Sequence, residues 1–322
     1  MIESIIPENK EHWLQLRMQD ITSTDVSALF GLSPYCTKFE LWHRKKRGEI
    51  VDFKENKRMK WGTKLQDTIA ETIAEEQGWK VRRMDEYMRD TKLRAGASFD
   101  FSIEEIVEKD LVKWQLDSIA DGRDINDFIN TLGLLEIKNV DGLVYRDKWT
   151  DDEAPNHIEM QVQHQLMVSC REFAYIGALI GGNDEKLIRR ERDEVVIKAM
   201  RQAIKDFWIS IDNNEPPSPD FKADAEFIAK LYGYAEPNKL FDARGNAAVL
   251  DLAQEYKRLG EEVKQRTTAK DAIKAQLLII IGDAEKVTGD GFSISAGIVS
   301  ENDISYHRNA YRMFKPSWKK KK

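Results

Sequence analysis

The chain has 322 residues, 41% of them hydrophobic and 33% charged, with a net charge of −6 and two cysteines, Cys36 and Cys170. That length supports a large core with one main domain and an appendage, while two cysteines exclude a disulfide framework or a four-cysteine metal cluster. No apolar run approaches the roughly 20 residues of a membrane helix, and the start Met1-Ile2-Glu3-Ser4 lacks the features of a signal peptide, so cytoplasmic residence is expected.

The first third reads as helical with polar caps. Ser23 or Thr24 precedes a short helix over 25–30 that stops at Gly31, and Thr37 caps a helix over 38–47 that ends at Gly48. A longer amphipathic helix spans 61–77, with Leu65, Ile69, Ile73 and Ala74 at helical spacing and Gly78 as its stop. The period then changes. Residues 79–89 and 93–101 predict two strands turning at Asp90-Thr91, followed by a charged helical insertion at about 104–129 and a strand over 131–140.

Pro155 opens a helix to about Cys170. An apolar strand covers 173–180, ends at Gly181-Gly182 and pairs with 186–191, and a second long helix covers 193–212. Residues 213–220, with three prolines, have the composition of a linker. Beyond them Val249, Leu252, Tyr256, Leu259 and Val263, then Ile273, Leu277 and Ile280, recur at spacings of three and four, interrupted by Arg266 and Lys270. A coiled-coil arm, a helical hairpin or an ordinary amphipathic helix would each satisfy that pattern. Residues 292–299 and 304–314 predict a final strand pair, and 315–322 form a basic tail.

The chemistry concentrates at Asp100 and Glu136-Ile137-Lys138. Side chains alternate along a strand, so Glu136 and Lys138 share one face and Ile137 the other. Two carboxylates beside a lysine suit a hard divalent cation and phosphodiester chemistry, because oxygen ligands hold such an ion and the ion polarises phosphate and acidifies water. A salt-bridged solvated strand face gives the same pattern. Five histidines are too scattered for a typical zinc site; His157 and His164 lie seven apart on one helix without further ligands. The net charge does not decide for or against DNA, since basic side chains can cluster at one cleft of an acidic protein.

Several stretches, in order, extend the pattern: Trp13-Leu14-Gln15-Leu16-Arg17 with Ile21-Thr22-Ser23-Thr24, Gly31-Leu32-Ser33-Pro34-Tyr35 with Glu40-Leu41-Trp42, and Trp61-Gly62-Thr63-Lys64-Leu65-Gln66. They continue with Met88-Arg89-Asp90, Ala97-Ser98-Phe99-Asp100, Leu135-Glu136-Ile137-Lys138 and Met160-Gln161-Val162-Gln163. Over roughly residues 11–212 the chain resembles the YqaJ-like phage recombinase nucleases, relatives of lambda exonuclease in the PD-(D/E)XK superfamily. The resemblance implies an α/β fold: a PD-(D/E)XK nuclease core with a mixed central β-sheet flanked by helices, over 1–212. A C-terminal α+β appendage, 221–314, would follow the linker.

By the same resemblance Asp100, Glu136 and the backbone carbonyl of Ile137 would hold Mg²⁺ or Mn²⁺. Lys138 would position the attacking water, with Gln161 orienting it or the phosphate. Arg17 and Thr24 would grip a DNA phosphate, for which a planar guanidinium is suited, although a surface salt bridge is the other reading of Arg17. Gln66, Asp90 and Gln163 would support the site. Three departures stand out: Gln66 takes the place of a glutamate, Phe99 that of a common proline, and 35 positions separate Asp100 from Glu136 where relatives use a short hairpin. An amide at 66 cannot ligate as an anion, and Asp67 does not substitute, because one residue turns a helix by about 100°.

The implied activity is a 5′-to-3′ exonuclease on linear double-stranded DNA ends, leaving single strand for an annealing partner in phage recombination. The implied assembly is a ring-shaped homotrimer, in the host cytoplasm and encoded by a phage or prophage. An endonuclease or single-strand nuclease on the same core, and a non-catalytic DNA-binding module with a decayed site, are the rival readings.

Overall fold

The computed structural model describes residues 1–48, 56–105, 133–150, 152–308, 310–314 and 316–318. From residue 106 onward the expected helical insertion lies outside the described residues, as does most of the basic tail. The chain divides into two compact units, Met1–Phe227 and Ile228–Lys322.

Local signals set the helices of the first unit. Helix α1 (Lys10–Gln19) starts at Asn9, whose side chain accepts from the His12 amide, and a single turn, α2 (Val26–Leu29), follows. Helix α3 (Lys38–Arg47) is capped by the Thr37 hydroxyl on the Glu40 amide and stops at Gly48, where φ of 62° is left-handed. Helix α4 (Lys57–Gln77) begins a turn earlier than the apolar spacing predicts, because Asn56 caps it through the Met59 amide.

The two strands expected over 79–101 are each broken in the middle. β3 (Lys80–Arg83) and β4 (Tyr87–Asp90) form one arm, β5 (Ala95–Ser98) and β6 (Phe101–Glu105) the other. β4 and β5 pair antiparallel, and so do β3 and β6, but in different sheets. The breaks face each other at a crease, where the Met84 amide donates to the Asp100 carbonyl at 3.0 Å. Met84 and Phe99 turn inward there and are buried, which anchors the bend.

With β1 (Ile2–Ile5) and β2 (Ile21–Thr22), the tip of the hairpin makes a sheet ordered β1-β4-β5-β2. A charge is buried beneath it. Asp20, fully enclosed, accepts from the Arg89 guanidinium at 2.8 Å and the Tyr87 hydroxyl at 3.1 Å. Gly96 on β5 makes room for this cluster, since a Cβ there would lie 2.1 Å from the Tyr87 hydroxyl.

The larger sheet is ordered β3-β6-β7-β8-β9, with β7 (Gly133–Val140) and β8 (Phe173–Ile180) parallel and its other pairs antiparallel. β9 (Asp184–Glu191) returns from β8 by a hairpin. Alternation sorts the sheet into two faces. Leu135, Ile137, Phe173 and Tyr175 meet Ile69, Ala70 and Ile73 of α4. Leu134, Val140, Ala174 and Ile176 meet α6 (Asn156–Ser169) and α7 (Glu194–Asp212). The fold is therefore α/β, a mixed sheet flanked by helices. A short helix, α5 (Gly142–Lys148), which the sequence reading passed over, follows β7.

The first unit continues past the proline-containing 213–220 segment. Asp224 is buried and accepts from the Thr37 hydroxyl and from the Asp220 amide at 2.8 Å, while Phe227 meets Phe39 edge-on. A short helix, α8 (Ala225–Leu231), follows.

In the second unit the apolar spacing becomes one continuous helix, α9 (Ala247–Ile281), and not a helical hairpin. The expected pairing of 292–299 with 304–314 does not occur. β11 (Phe292–Ser295) pairs instead with β10 (Lys286–Gly289), and the described part of 304–314 forms no strand. The reason is local: Asp290-Gly291 makes a two-residue turn with Gly291 at φ 82°. Among the described residues no helix is long and apolar enough to cross a membrane.

Candidate active site

β7 and α6 build the site together. β6 ends its ladder with β7 at Phe101 opposite Leu135, which leaves the next amide on that edge of β7 unpaired by a strand. Asp100, at the crease one residue before β6, supplies the acceptor: the Ile137 amide donates to its Oδ2 at 2.8 Å. Glu136 projects to the opposite face from Ile137, and Lys138 Nζ donates to Glu136 Oε1 at 2.5 Å.

Helix α6 closes over this face with two glutamines one turn apart. Gln161 Nε2 donates to Glu136 Oε1 at 2.6 Å, and its Oε1 accepts from Lys138 Nζ at 3.3 Å. Gln165 Nε2 donates to Glu136 Oε2 at 2.7 Å and to the Ser98 carbonyl at 3.1 Å. Glu136 is thus held at both oxygens. Gln165 was not singled out from the sequence, yet its position four residues after Gln161 on one helical face was the available signal.

The charges do not balance. Burial, then the Glu136 carboxylate, push the Asp100 carboxyl up to about 7, against the pull of Lys138, the Ile137 amide and a hydrogen bond from Gln66. Burial works against the Lys138 ammonium, but Glu136 and Asp100 outweigh it and hold its pKa above the ordinary lysine value.

A cavity of about 230 Å³ opens beside Lys138 and Gln161, lined also by Thr24, Ser27, Tyr35, His157 and Ile158. Arg17 stacks on Trp13, 4.5 Å from the ring centre, and donates to the Thr24 hydroxyl at 2.9 Å, so it stands behind the wall that Thr24 forms. His157 meets Tyr35 edge-on at 5.7 Å; burial, Lys138 and Lys148 keep it below the ordinary histidine range.

The structure therefore brings together Asp100, Glu136, Ile137, Lys138, Gln161 and Gln66, with Thr24 and Arg17 alongside. Two expected supporting residues lie elsewhere. Asp90 caps the β4–β5 turn, accepting from the Lys92 and Leu93 amides at 3.1 and 3.3 Å. Gln163 points away from Gln161, because two residues rotate a helix by about 200°. It ties α6 to the start of α7, donating to the Glu191 carbonyl at 2.7 Å and accepting from the Asp193 amide at 2.9 Å.

The model of the YqaJ-like viral recombinase domain family matches residues 12–172, half of the chain, and encloses this site. The chain belongs to that family. The YqaJ protein of Bacillus subtilis (strain 168), described as uncharacterized, is 26% identical over 281 residues, 86% of this chain and 80% of that protein. A crystal structure of an alkaline exonuclease from Laribacter hongkongensis is 18% identical and covers 69% of this chain and 100% of its own, with a TM-score of 0.46. A phage-related exonuclease from Haemophilus somnus 129PT is 11% identical, covering 61% and 96%, with a TM-score of 0.36.

Within this YqaJ-like chain the core sets an acid at the crease, E-x-K on the next strand, and helices on both faces of the sheet. Among the described residues no three His, Cys, Asp or Glu side chains cluster as a metal site. The oxygens of Asp100 and Glu136, with one lysine between two acids, nevertheless suit a hard divalent cation, which would relieve the repulsion that raises Asp100.

Proposed function

We propose that this chain is a metal-dependent deoxyribonuclease that degrades linear duplex DNA from its ends, 5′ to 3′, and leaves single strand for an annealing partner protein in phage-type recombination. The observation that carries the reading is the convergence of Asp100, Glu136, Lys138 and Gln161 on one strand end beside an open cavity. Membership of a viral recombinase family supports the recombination context.

Asp100, Glu136 and the Ile137 carbonyl would hold Mg²⁺ or Mn²⁺, which supplies polarisation of the scissile phosphate and a more acidic water. Gln161 bridges Glu136 and Lys138, fixing the ammonium over the cavity; there it can orient a water and offset charge developing on phosphate oxygens. Thr24, backed by Arg17, lines the same cavity, which suits recognition of a terminal phosphate. A homotrimeric ring that threads the duplex, in the cytoplasm of a bacterial host, completes the reading.

Degradation of linear and covalently closed circular duplex, each with Mg²⁺, Mn²⁺ or chelator, tests it. Linear DNA with a 5′-phosphate is lost fastest, 5′-hydroxyl ends are slower, and circles survive. Circles cut as fast as linear DNA would point to an endonuclease. Binding without degradation under both metals would point to a non-catalytic module.

A further inference from the structure

Lys45 belongs to a basic run, Arg44-Lys45-Lys46-Arg47, in the last turn of α3, a place where lysines usually stand in water. The fold encloses this one. Its side chain is 4% exposed, and α3 is pinned just before it by buried Leu41 and Trp42. An ammonium has three N–H donors and no acceptor, and here all three donors are matched. Lys45 Nζ donates to the Arg17 carbonyl at 2.7 Å, to the Asp20 carbonyl at 2.6 Å and to Asp25 Oδ2 at 2.9 Å.

These acceptors bracket the segment that forms the Thr24 wall of the cavity. The Arg17 and Asp20 carbonyls lie at the end of α1, where a helix leaves acceptors without internal partners and favours a cation. Asp25 stands at the start of α2 and also accepts from the Thr22 amide at 3.2 Å. Between the two helices only Ile21 and Thr22 belong to a strand, so the segment has little regular structure to set its own geometry. Inside the bracket the Thr22 and Thr24 hydroxyls lie 3.1 Å apart, and the Arg17 guanidinium donates to them at 3.4 and 2.9 Å. Burial works against the Asp25 carboxylate, but Lys45 and Arg17 outweigh it and hold its pKa below the ordinary range. Among the described residues Arg17 forms no direct ion pair, which leaves its charge open to a phosphate.

We propose that Lys45 is a positioning residue for terminal-phosphate recognition: by joining both ends of the 17–25 segment it sets Arg17 and Thr24 at the spacing a phosphate requires. The proposal rests on the role given above to Thr24 and Arg17. Lys45 is not among the residues that line the cavity, so it acts through those two and not on the DNA itself. Methionine in its place has nearly the same length but no donor, and leaves two carbonyls and a carboxylate without their shared cation.

The test is equilibrium binding of the full chain to an internally labelled blunt duplex with 5′-phosphate or 5′-hydroxyl ends, read by fluorescence anisotropy. Chelator is present throughout, so no DNA is degraded. Wild type is expected to favour the phosphorylated ends about tenfold, the scale of one hydrogen bond to a charged group, and Lys45→Met to bring that ratio near one. Asp25→Asn, which keeps the side-chain shape and an acceptor oxygen, is expected to fall between them, at about threefold. A lysine with a merely structural role would weaken both duplexes alike, so an unchanged ratio in Lys45→Met overturns the proposal. If circular dichroism shows Lys45→Met unfolded, Asp25→Asn decides by the same criterion. A wild type that binds both ends equally overturns the phosphate role of Thr24 and Arg17, and this proposal with it. Because binding is read without metal, failure of the nuclease reading appears separately, in the degradation assay.

Discussion

Asp20, fully buried, and Asp100, half-buried, are carboxylates served by the same bent hairpin, yet their surroundings differ. Asp20 has a guanidinium and a phenol hydroxyl in hydrogen-bonding contact, and burial holds its carboxyl above the ordinary value against the pull of Arg89, Tyr87 and Lys45. Asp100 has a second carboxylate beside it and one lysine shared between the two, so burial and Glu136 push it up to about 7. The first cluster sets one acid against a guanidinium, and the second sets two acids against one lysine. A buried acid that is already matched holds a fold together, whereas one left unmatched is prepared for something that arrives later.

The contrast can be broken most sharply at Lys138. Lys138→Ala is expected to lower the rate per folded molecule on linear duplex about 1,000-fold, near 4 kcal/mol in barrier, and also to lower the melting temperature, because buried Glu136 then loses its counter-charge. Single-turnover kinetics at saturating metal would show it, and a loss under tenfold would remove Lys138 from the chemistry. Arg89→Leu should act on stability alone. Leaving Asp20 buried and unpaired costs about 3–5 kcal/mol of stability in denaturant titration, with activity per folded molecule retained.

A subtler effect follows from proton linkage at Asp100. Its carboxyl stays protonated to about 7 in the folded chain and ionises near 3.8 when unfolded, so the folded state binds the extra proton between those values. Its contribution to metal-free stability is therefore fully present below pH 3.8 and is lost as pH rises through about 7. Asp100→Asn should flatten that part of the melting-temperature profile and raise stability at pH 8, while abolishing degradation. Melting curves that stay parallel across this window would show that Asp100 is not repelled. The smallest expected change is at residue 66: Gln66→Glu adds the missing carboxylate and should tighten Mn²⁺ binding about tenfold by calorimetry.

Much of the site was legible because it rests on strand alternation and helix rotation. Glu136 and Lys138 share a face, with Ile137 buried on the other, as a period of two requires. The Thr37 and Gly48 caps were equally readable, being local chemistry. The crease was not, because strands 79–89 and 93–101 look continuous until Met84 and Phe99 are seen to bury themselves between two sheets. Asp90 and Gln163 sit in motifs that suggested the site, but a turn cap and a 200° rotation took them elsewhere. The β10–β11 turn shows a local signal overriding a longer apolar pattern: Asp290-Gly291 closed a hairpin before residues 304–314 could pair.

The amide of Ile137 has a use that concerns spectroscopy and not chemistry. One lone backbone proton on β7 is bound by the Asp100 carboxylate where a neighbouring strand would ordinarily bind it. Its nuclear resonance frequency and its rate of exchange with deuterium would register whether that carboxylate is charged, protonated or drawn away. The strand thus carries a native probe of its own centre, readable in the intact chain without a label.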